Sequence, residues 1–460
     1  MTLTRIYSAL PVPLQNLACS LEGWRIRRHR YNADFHSRLA QAESRAQLSP
    51  EAFAAFRDAR LKSFVHHAAT TVPYYRALFR QLGAESGDFR SIEDLARLPV
   101  LQKSDIQQQP KAFFSEAAPR NELVQMHTSG TTGAGLHFST TAAALREQYA
   151  IWWRHLHRHG LRQGVWCAYF AGRSIVQAEQ SAPPFWRVNR AGRQVLFSAY
   201  HLNDKNALSY LEEPRRRRIP WIHGYPSFIA QIAEHILEKG FDLGYRLQWI
   251  TTSSENLHAH QARLIEAAFG IAPVQNYGMV EAVANISQAP DGDLYVDEDF
   301  CAVEFMPAGE DSVYKVVGTN FSNPATPLIR YDTGDIVRLS GNGGGGGFPG
   351  RRVEGIDGRR EDYVLLPNGV RIGRMDHIFK DMVNVREAQI RQREAGAIDV
   401  LVVKGPSYAE EDEVAMLREF RTRLSGDIAI NIRYVGAIGK TPSGKLRFVV
   451  SELDSGGEPA

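Results

Sequence analysis

Cysteine is scarce in this 460-residue chain: Cys19, Cys167 and Cys301 are the only three, far apart in sequence, with no Cys-x-x-Cys or Cys/His ligand spacing. Neither a zinc site nor a disulfide framework is therefore indicated, and buried free thiols in a reducing compartment are the expectation. Long apolar runs are also missing. Near the N-terminus Ser8, Pro11, Pro13, Gln15 and Asn16 interrupt any stretch that would serve as a signal core or a membrane span, so a cytoplasmic location without stable membrane insertion is expected. A surplus of one charge is lacking too. Lys plus Arg total 54 against 51 for Asp plus Glu, a net +3, which speaks against a nucleic-acid binder. No repeat of about 20–50 residues is apparent.

What is present is length, alternation and a series of short motifs. At 460 residues the chain exceeds the roughly 250–300 residues served by one core, so at least two domains are expected. Phe53, Phe56, Leu61, Phe64 and Val65 fall near helical spacing and predict a helical pattern over about 50–81, ended at Pro73, and a helix start near Ser104 or Asp105 follows Leu98. From about 160 to 335, apolar runs at Val165–Phe170 and Leu247–Thr251 alternate with amphipathic segments such as Phe228–Leu237. That rhythm predicts an α/β architecture with substantially parallel sheets. Residues after about 363, with Val400–Val403 strand-like and Glu411–Leu424 helical, suffice for a small α+β domain. Gly343–Gly347 reads as a turn between strands, and Arg215–Arg218 as a solvated helix end, with contact to an anionic ligand or surface as the alternative.

The motifs carry the chemistry. His127-Thr128-Ser129-Gly130-Thr131-Thr132-Gly133 joins hydroxyl donors to glycines whose backbone amides can approach phosphate oxygens, although a plain surface loop has the same composition. It lacks the Gly-Lys-Ser/Thr ending of a P-loop. Tyr277-Gly278-Met279-Val280-Glu281 supplies an aromatic and a carboxylate. Tyr331-Asp332-Thr333-Gly334-Asp335 supplies a carboxylate able to accept from two adjacent hydroxyls of a ribose. Asp357-Gly358-Arg359-Arg360-Glu361-Asp362 and Thr441-Pro442-Ser443-Gly444-Lys445 complete the order. A carboxylate needs a good leaving group before it can be joined to a nucleophile, and attack on the α-phosphate of ATP provides AMP. The ordered set points to that activation. Lys445, on a loop after Gly444, is the strongest catalytic candidate, because it can meet charge that grows in the transition state.

The order and wording of these motifs resemble the acyl-adenylate-forming superfamily of acyl-CoA synthetases, luciferases and peptide-synthetase adenylation domains. Leu98–Lys103, Pro184–Asn189, Ser198–Leu202, His223–Ser227 and Arg386–Ile390 narrow the resemblance to phenylacetate-CoA ligase and its capsule-biosynthesis (CapK-like) relatives, over nearly the whole chain. The resemblance implies a large N-terminal ATP- and acyl-binding domain at 1–361 with mixed and parallel sheets. It also implies a small mobile α+β domain at 362–460 that turns about Asp362 between half-reactions. It assigns Thr128, Ser129, Gly130, Thr131, Thr132 and Gly133 to phosphate, Tyr277 and Gly278 to adenine, Ser254 and Glu255 to the loop across adenine, Glu281 to Mg2+ and catalysis, and Asp335 and Arg359 to the nucleotide. Three positions depart from the pattern. Ala134 and Gly135 stand where a lysine and a proline are usual, and Val280 replaces a hydroxyl that contacts the α-phosphate.

The acyl pocket is read from the segments that line it in relatives, with Phe170, Arg173, Trp186, His201 and Tyr225 as candidates beside Trp152, Phe185, Tyr200 and Phe228. Aromatic residues at these spacings serve equally as core. Arg173, Arg187 and His201 would suit a polar or anionic acid instead. ATP and Mg2+ are the implied cofactors, and CoA is the leading acceptor. An amine or hydroxyl, such as an amino sugar, is the alternative, a degenerate nucleotide-binding scaffold is a third reading, and homodimerisation is left open.

Overall fold

The computed structural model describes residues 3–128, 136–171, 175–177, 180–198, 201–202, 205–255, 257, 259–308, 312–339, 347–356, 364–367, 371–372, 375, 378, 382, 384–405, 408–424, 428–436, 438–439, 449–451 and 453, with the backbone alone at 3–5, 227, 260, 371, 386 and 387. Ser129–Gly133, Arg173, Tyr200, Gly343–Gly346, Arg359, Asp362 and Lys445, and the expected boundary at 361/362, lie outside the described residues.

The N-terminal third is helical. Ser49 opens Pro50–Thr71 by accepting from Ala52 N at 3.2 Å. Pro73 does not simply end the pattern read over 50–81. It ends the first helix at Thr71 and opens a second, Pro73–Leu82, since a missing N–H costs nothing at the first helical position. Gly83, at φ 60, closes that second helix in the left-handed conformation. The next helix, Lys103–Gln108, is capped at Gln102 rather than at Ser104 or Asp105, with Gln102 N–H donating to the Asp105 carboxylate at 2.8 Å.

Fourteen strands follow in order: β1 (Leu123–His127), β2 (His137–Thr141), β3 (Cys167–Phe170), β4 (Trp186–Asn189), β5 (Gln194–Phe197), β6 (Trp221–Gly224), β7 (Trp249–Ser253), β8 (Val274–Gly278), β9 (Asn285–Gln288), β10 (Leu294–Val296), β11 (Ala302–Pro307), β12 (Val313–Thr319), β13 (Tyr331–Arg338) and β14 (Arg352–Val353). Among the described residues nine of them form the largest sheet, in the order β14-β10-β9-β8-β7-β6-β3-β5-β4. Strands β8, β7, β6, β3 and β5 run parallel, and β4 and β9 flank them antiparallel. A parallel sheet must be covered on both faces. On one face Ala168, Phe170, Ile222 and Ile250 pack against Phe228, Ile229 and Ile232 of helix Pro226–Lys239. On the other, Cys167 and Trp221 pack against Ala150, Trp153 and Leu156 of helix Ala142–Arg158.

A second sheet, all antiparallel, joins β11, β12 and β13 to β15 (Gly355–Ile356). Its β13 is tied to the N-terminal segment by a parallel bridge between Leu101 and Tyr331. After β16 (Val364–Leu365) and β17 (Arg371–Ile372), a last sheet runs β20-β19-β18-β21, where β18 is Val385–Glu394, β19 Ala397–Lys404, β20 Ala429–Tyr434 and β21 Val449–Ser451. Met416 and Phe420 of helix Glu410–Arg423 join Val364, Ile390, Val400 and Val449 in one buried cluster drawn entirely from this end of the chain. Cys167 and Cys301 are buried free thiols, and Cys19 is partly exposed. No helix of the described residues is long and apolar enough to cross a membrane.

Candidate functional site

In an open parallel sheet, ligands collect at the carboxyl ends of the strands, near the point where successive strands turn from one side to the other. Here that point lies between β3 and β6: β5 pairs on one side of β3, while β6, β7 and β8 extend from the other. The two ends are drawn tightly together. Tyr225 N donates to Phe170 O at 2.8 Å, and a Cβ on Gly224 would lie 1.9 Å from that same oxygen, so only glycine fits.

Most of the predicted site residues with described coordinates follow these carboxyl ends. Tyr277 and Gly278 end β8, and Ser254, at φ 70, and Glu255 follow β7. Beyond β8 the chain turns sharply, with Ala282 N–H donating to Met279 O at 3.1 Å and Ala282 held at φ 57. That turn buries Glu281, 7% exposed, and Asn320 Nδ2 fixes it by donating to Glu281 O at 3.0 Å. Asp335 comes from the second sheet. Tyr277 Oη donates to Asp335 Oδ2 at 2.7 Å and so joins two motifs that stand 58 residues apart.

Asp335 is held through its strand. Its N–H donates to Thr333 Oγ1 at 3.0 Å, and Thr333 donates to Val316 O at 2.8 Å. Upstream, Arg330, at φ 56, places its guanidinium Nε 3.0 Å from both Glu304 carboxylate oxygens and also donates to Leu98 O. Leu101 N–H donates to Arg330 O at 2.8 Å and Leu101 O accepts from Asp332 N at 2.9 Å, so the Leu98–Lys103 segment acts as a brace for β13. Nothing in the sequence of that segment signals this bracing role.

Strands β1 and β2 pair antiparallel on either side of the hydroxyl-rich motif. Thr128, 6% exposed, extends the pairing: Thr128 N donates to Leu136 O at 2.9 Å and Leu136 N donates to Thr128 Oγ1 at 3.1 Å. His223 was not singled out as a site residue, although its motif was quoted. It lies near the end of β6, with Nδ1 2.8 Å from Thr251 Oγ1 and Nε2 3.4 Å from Ser253 Oγ, between Trp152 and Tyr169.

The acyl-pocket candidates separate. Phe170 is 1% exposed and stacks on Phe197 at 4.5 Å, as a core side chain does. His201 is also buried, with Nδ1 2.8 Å from Ser198 Oγ, Nε2 2.9 Å from Gln177 O and its ring stacked on Phe185. Arg187 is buried, its guanidinium donating to Pro184 O and Trp186 O and bonded to Gln180 and Gln15, so it anchors the sheet edge. Trp186 and Tyr225 are partly exposed. Arg215–Arg217 end helix Ala207–Arg217, and Arg216 and Arg217 pair with Glu213, as the solvated-helix-end reading expects.

Residues 365–452 match the family described as the CapK C-terminal domain. Along its full length the chain resembles Protein CapK of Staphylococcus aureus, 24% identical over 98% of this chain and 100% of that protein. It also resembles the phenylacetate-coenzyme A ligase of Pseudomonas putida, 26% identical over 72% of this chain and 75% of the relative. In fold it matches a solved 2-hydroxyisobutyryl-CoA ligase in the postadenylation state, with a TM-score of 0.54, 18% identity, and coverage of 89% of this chain and 91% of that one. Together with the order of the motifs, these likenesses make the chain similar, over nearly its whole length, to CapK and the phenylacetate-coenzyme A ligases, with the CapK C-terminal domain at its end.

Proposed function

We propose that this chain, an AMP-forming acyl ligase, binds ATP across the carboxyl ends of β6–β8 and transfers the activated acyl group to a thiol, with CoA as the leading acceptor. The observation that carries the reading is the Tyr277–Asp335 hydrogen bond. It sets an aromatic face beside a carboxylate, the pair that an adenosine requires. A carboxylate has about four lone-pair sites, enough to accept a phenol and the two hydroxyls of a ribose. Ser129–Gly133 supply hydroxyls and backbone amides to the phosphates, and Ser254 and Glu255 cover the other side of the base.

An oxygen of the substrate carboxylate attacks the α-phosphorus, the bond to the bridging oxygen breaks, and pyrophosphate leaves. Lys445 bridges the attacking carboxylate and the α-phosphate as charge grows there, a contact worth about 3–4 kcal/mol in comparable sites. Arg359 holds ribose or phosphate. The thiol then attacks the acyl carbon, its proton passes to solvent, and AMP departs. Asp362 is the hinge on which residues 362–460 turn between the two steps.

Mg2+ fits the donor set. Among the described residues there is no group of three or more His, Cys, Asp or Glu side chains that could hold a metal, but Mg2+ at nucleotide sites takes one or two carboxylates together with phosphates. Glu281 is the carboxylate that would hold the ion, which when bound would offset charge on the pyrophosphate.

The full-length capsule-type likeness supports a second reading with the same adenylate and an amine or hydroxyl acceptor. Supplying ATP, acid and either CoA or amine and hydroxyl acceptors, and identifying the product by mass, separates the two. Steady thioester formation supports CoA. Acyl-AMP that persists with CoA and is consumed only by an amine or hydroxyl replaces it.

A further inference from the structure

Helix Val12–Arg30 is packed the wrong way round for a soluble surface helix. Its inner face is polar. Asn16 Oδ1 accepts from Val188 N at 2.8 Å, Ser20 Oγ accepts from Arg190 N at 3.0 Å, Gln15 meets Arg187, and Gly23 lies so close to Asn189 that an added Cβ would fall 2.0 Å from its side-chain oxygen. These contacts cover the edge strand β4 and fix the helix orientation. The outer face is apolar. Leu14, Leu17, Leu21 and Trp24 are 46%, 54%, 60% and 55% exposed, and their spacing aligns them within about a quarter of the helix circumference. Ile6, on the preceding helix Leu3–Ala9, is 47% exposed.

The end of the same helix is basic, with Arg25, Arg27, Arg28 and Arg30 against the single acid Glu22. Glu22 is paired with Arg25, and Arg30 lies over the Tyr149 ring. Arg27 and Arg28 are exposed, Arg28 beside Trp24, and among the described residues neither has a carboxylate partner. We infer that this helix lies on an anionic lipid surface, its leucines and Trp24 entering the boundary between headgroups and acyl chains while Arg27 and Arg28 meet the headgroup phosphates. A leucine stripe closed by a tryptophan and arginines is the pattern of an interfacial helix. A second copy of this chain fits less well, because along this helix it offers those arginines only Glu22, which Arg25 already holds. The association is peripheral and is independent of the acyl-transfer reading.

The test is co-sedimentation of the purified full-length protein with vesicles of phosphatidylcholine alone or of equal parts phosphatidylcholine and phosphatidylglycerol, at low and high salt, with light scattering on the same samples. The protein is expected to sediment with the anionic vesicles only, and less at high salt. Leu17→Ser/Leu21→Ser/Trp24→Ser should abolish sedimentation at unchanged melting temperature, since these side chains face solvent. Arg27→Ser/Arg28→Ser, a milder change should the triple variant fold poorly, should weaken binding about five-fold per charge removed. Equal sedimentation with both lipids, or none, overturns the inference. So does a wild-type dimer that the stripe substitutions convert to monomer without vesicle binding, which would assign the face to a second copy.

Discussion

Tyr277 and Asp335 illustrate how single residues define the site. Each was legible as a motif member, but the 2.7 Å bond between them depends on two sheets meeting and could not be read from spacing. Tyr277→Phe removes a hydrogen bond to a carboxylate while leaving the ring to stack. AMP affinity, measured by calorimetry without metal, should fall only about five- to ten-fold. Asp335→Ala should weaken ATP and AMP alike and by more than that; equal, negligible losses in both variants would remove adenosine from this position. Glu281→Gln should leave metal-free AMP binding intact and raise the Mg2+ concentration needed for turnover. A matching loss of metal-free AMP binding would show that Glu281 is not a metal ligand.

At the scale of elements, alternation of apolar runs and amphipathic segments predicted the parallel sheet, and β3, β7 and helix Pro226–Lys239 lie where Val165–Phe170, Leu247–Thr251 and Phe228–Leu237 pointed. Phe170 and His201 show why pocket and core look alike in sequence: the same aromatic spacing serves both, and only packing against Phe197 and Phe185 distinguishes them. The brace of β13 was invisible because it is made by backbone atoms of Leu98 and Leu101 with a left-handed Arg330, none of which leaves a periodic signal. Arg330→Met would leave the half-buried Glu304 carboxylate without its paired guanidinium, which costs about 1–3 kcal/mol. Urea unfolding should show that loss, with AMP affinity reduced in the protein that remains folded. Unchanged stability would mean that the brace is held by the backbone pairing alone.

Across the whole molecule, a buried ion cluster joins the N-terminal helices to the sheet that carries the site. Arg154, 1% exposed, donates to Asp299 at 2.7 and 2.9 Å and to Asp297 at 2.7 Å, and Arg45 reaches Asp299 at 2.6 Å. Burial by itself would raise the Asp299 pKa, but attraction from Arg154 and Arg45 prevails and lowers it. His155 is held well below its usual value, first by burial and then by the neighbouring His159 and Arg158. Both groups bind protons more weakly folded than unfolded, so the sign is the same for each. The His155 contribution is present above the ordinary histidine range and is lost as pH falls below it; that of Asp299 is lost further down, as pH falls through its lowered folded value. The melting temperature should therefore be steady at neutral pH and decline in two stages on acidification. His155→Gln should shrink the upper stage, to which His157 and His159, also held low by burial, contribute the remainder, and an unchanged profile would show that His155 does not titrate on unfolding.

Adenylate formation is tested most directly by acid-dependent exchange of pyrophosphate into ATP, measured over a panel of carboxylic acids in the wild type and in Lys445→Ala. Exchange stimulated by a particular acid, with AMP formed in turnover and a fall of about two to three decades in the variant, is the result the account predicts. Exchange of equal rate in both proteins, or acid-stimulated ATP consumption that yields ADP, would contradict it.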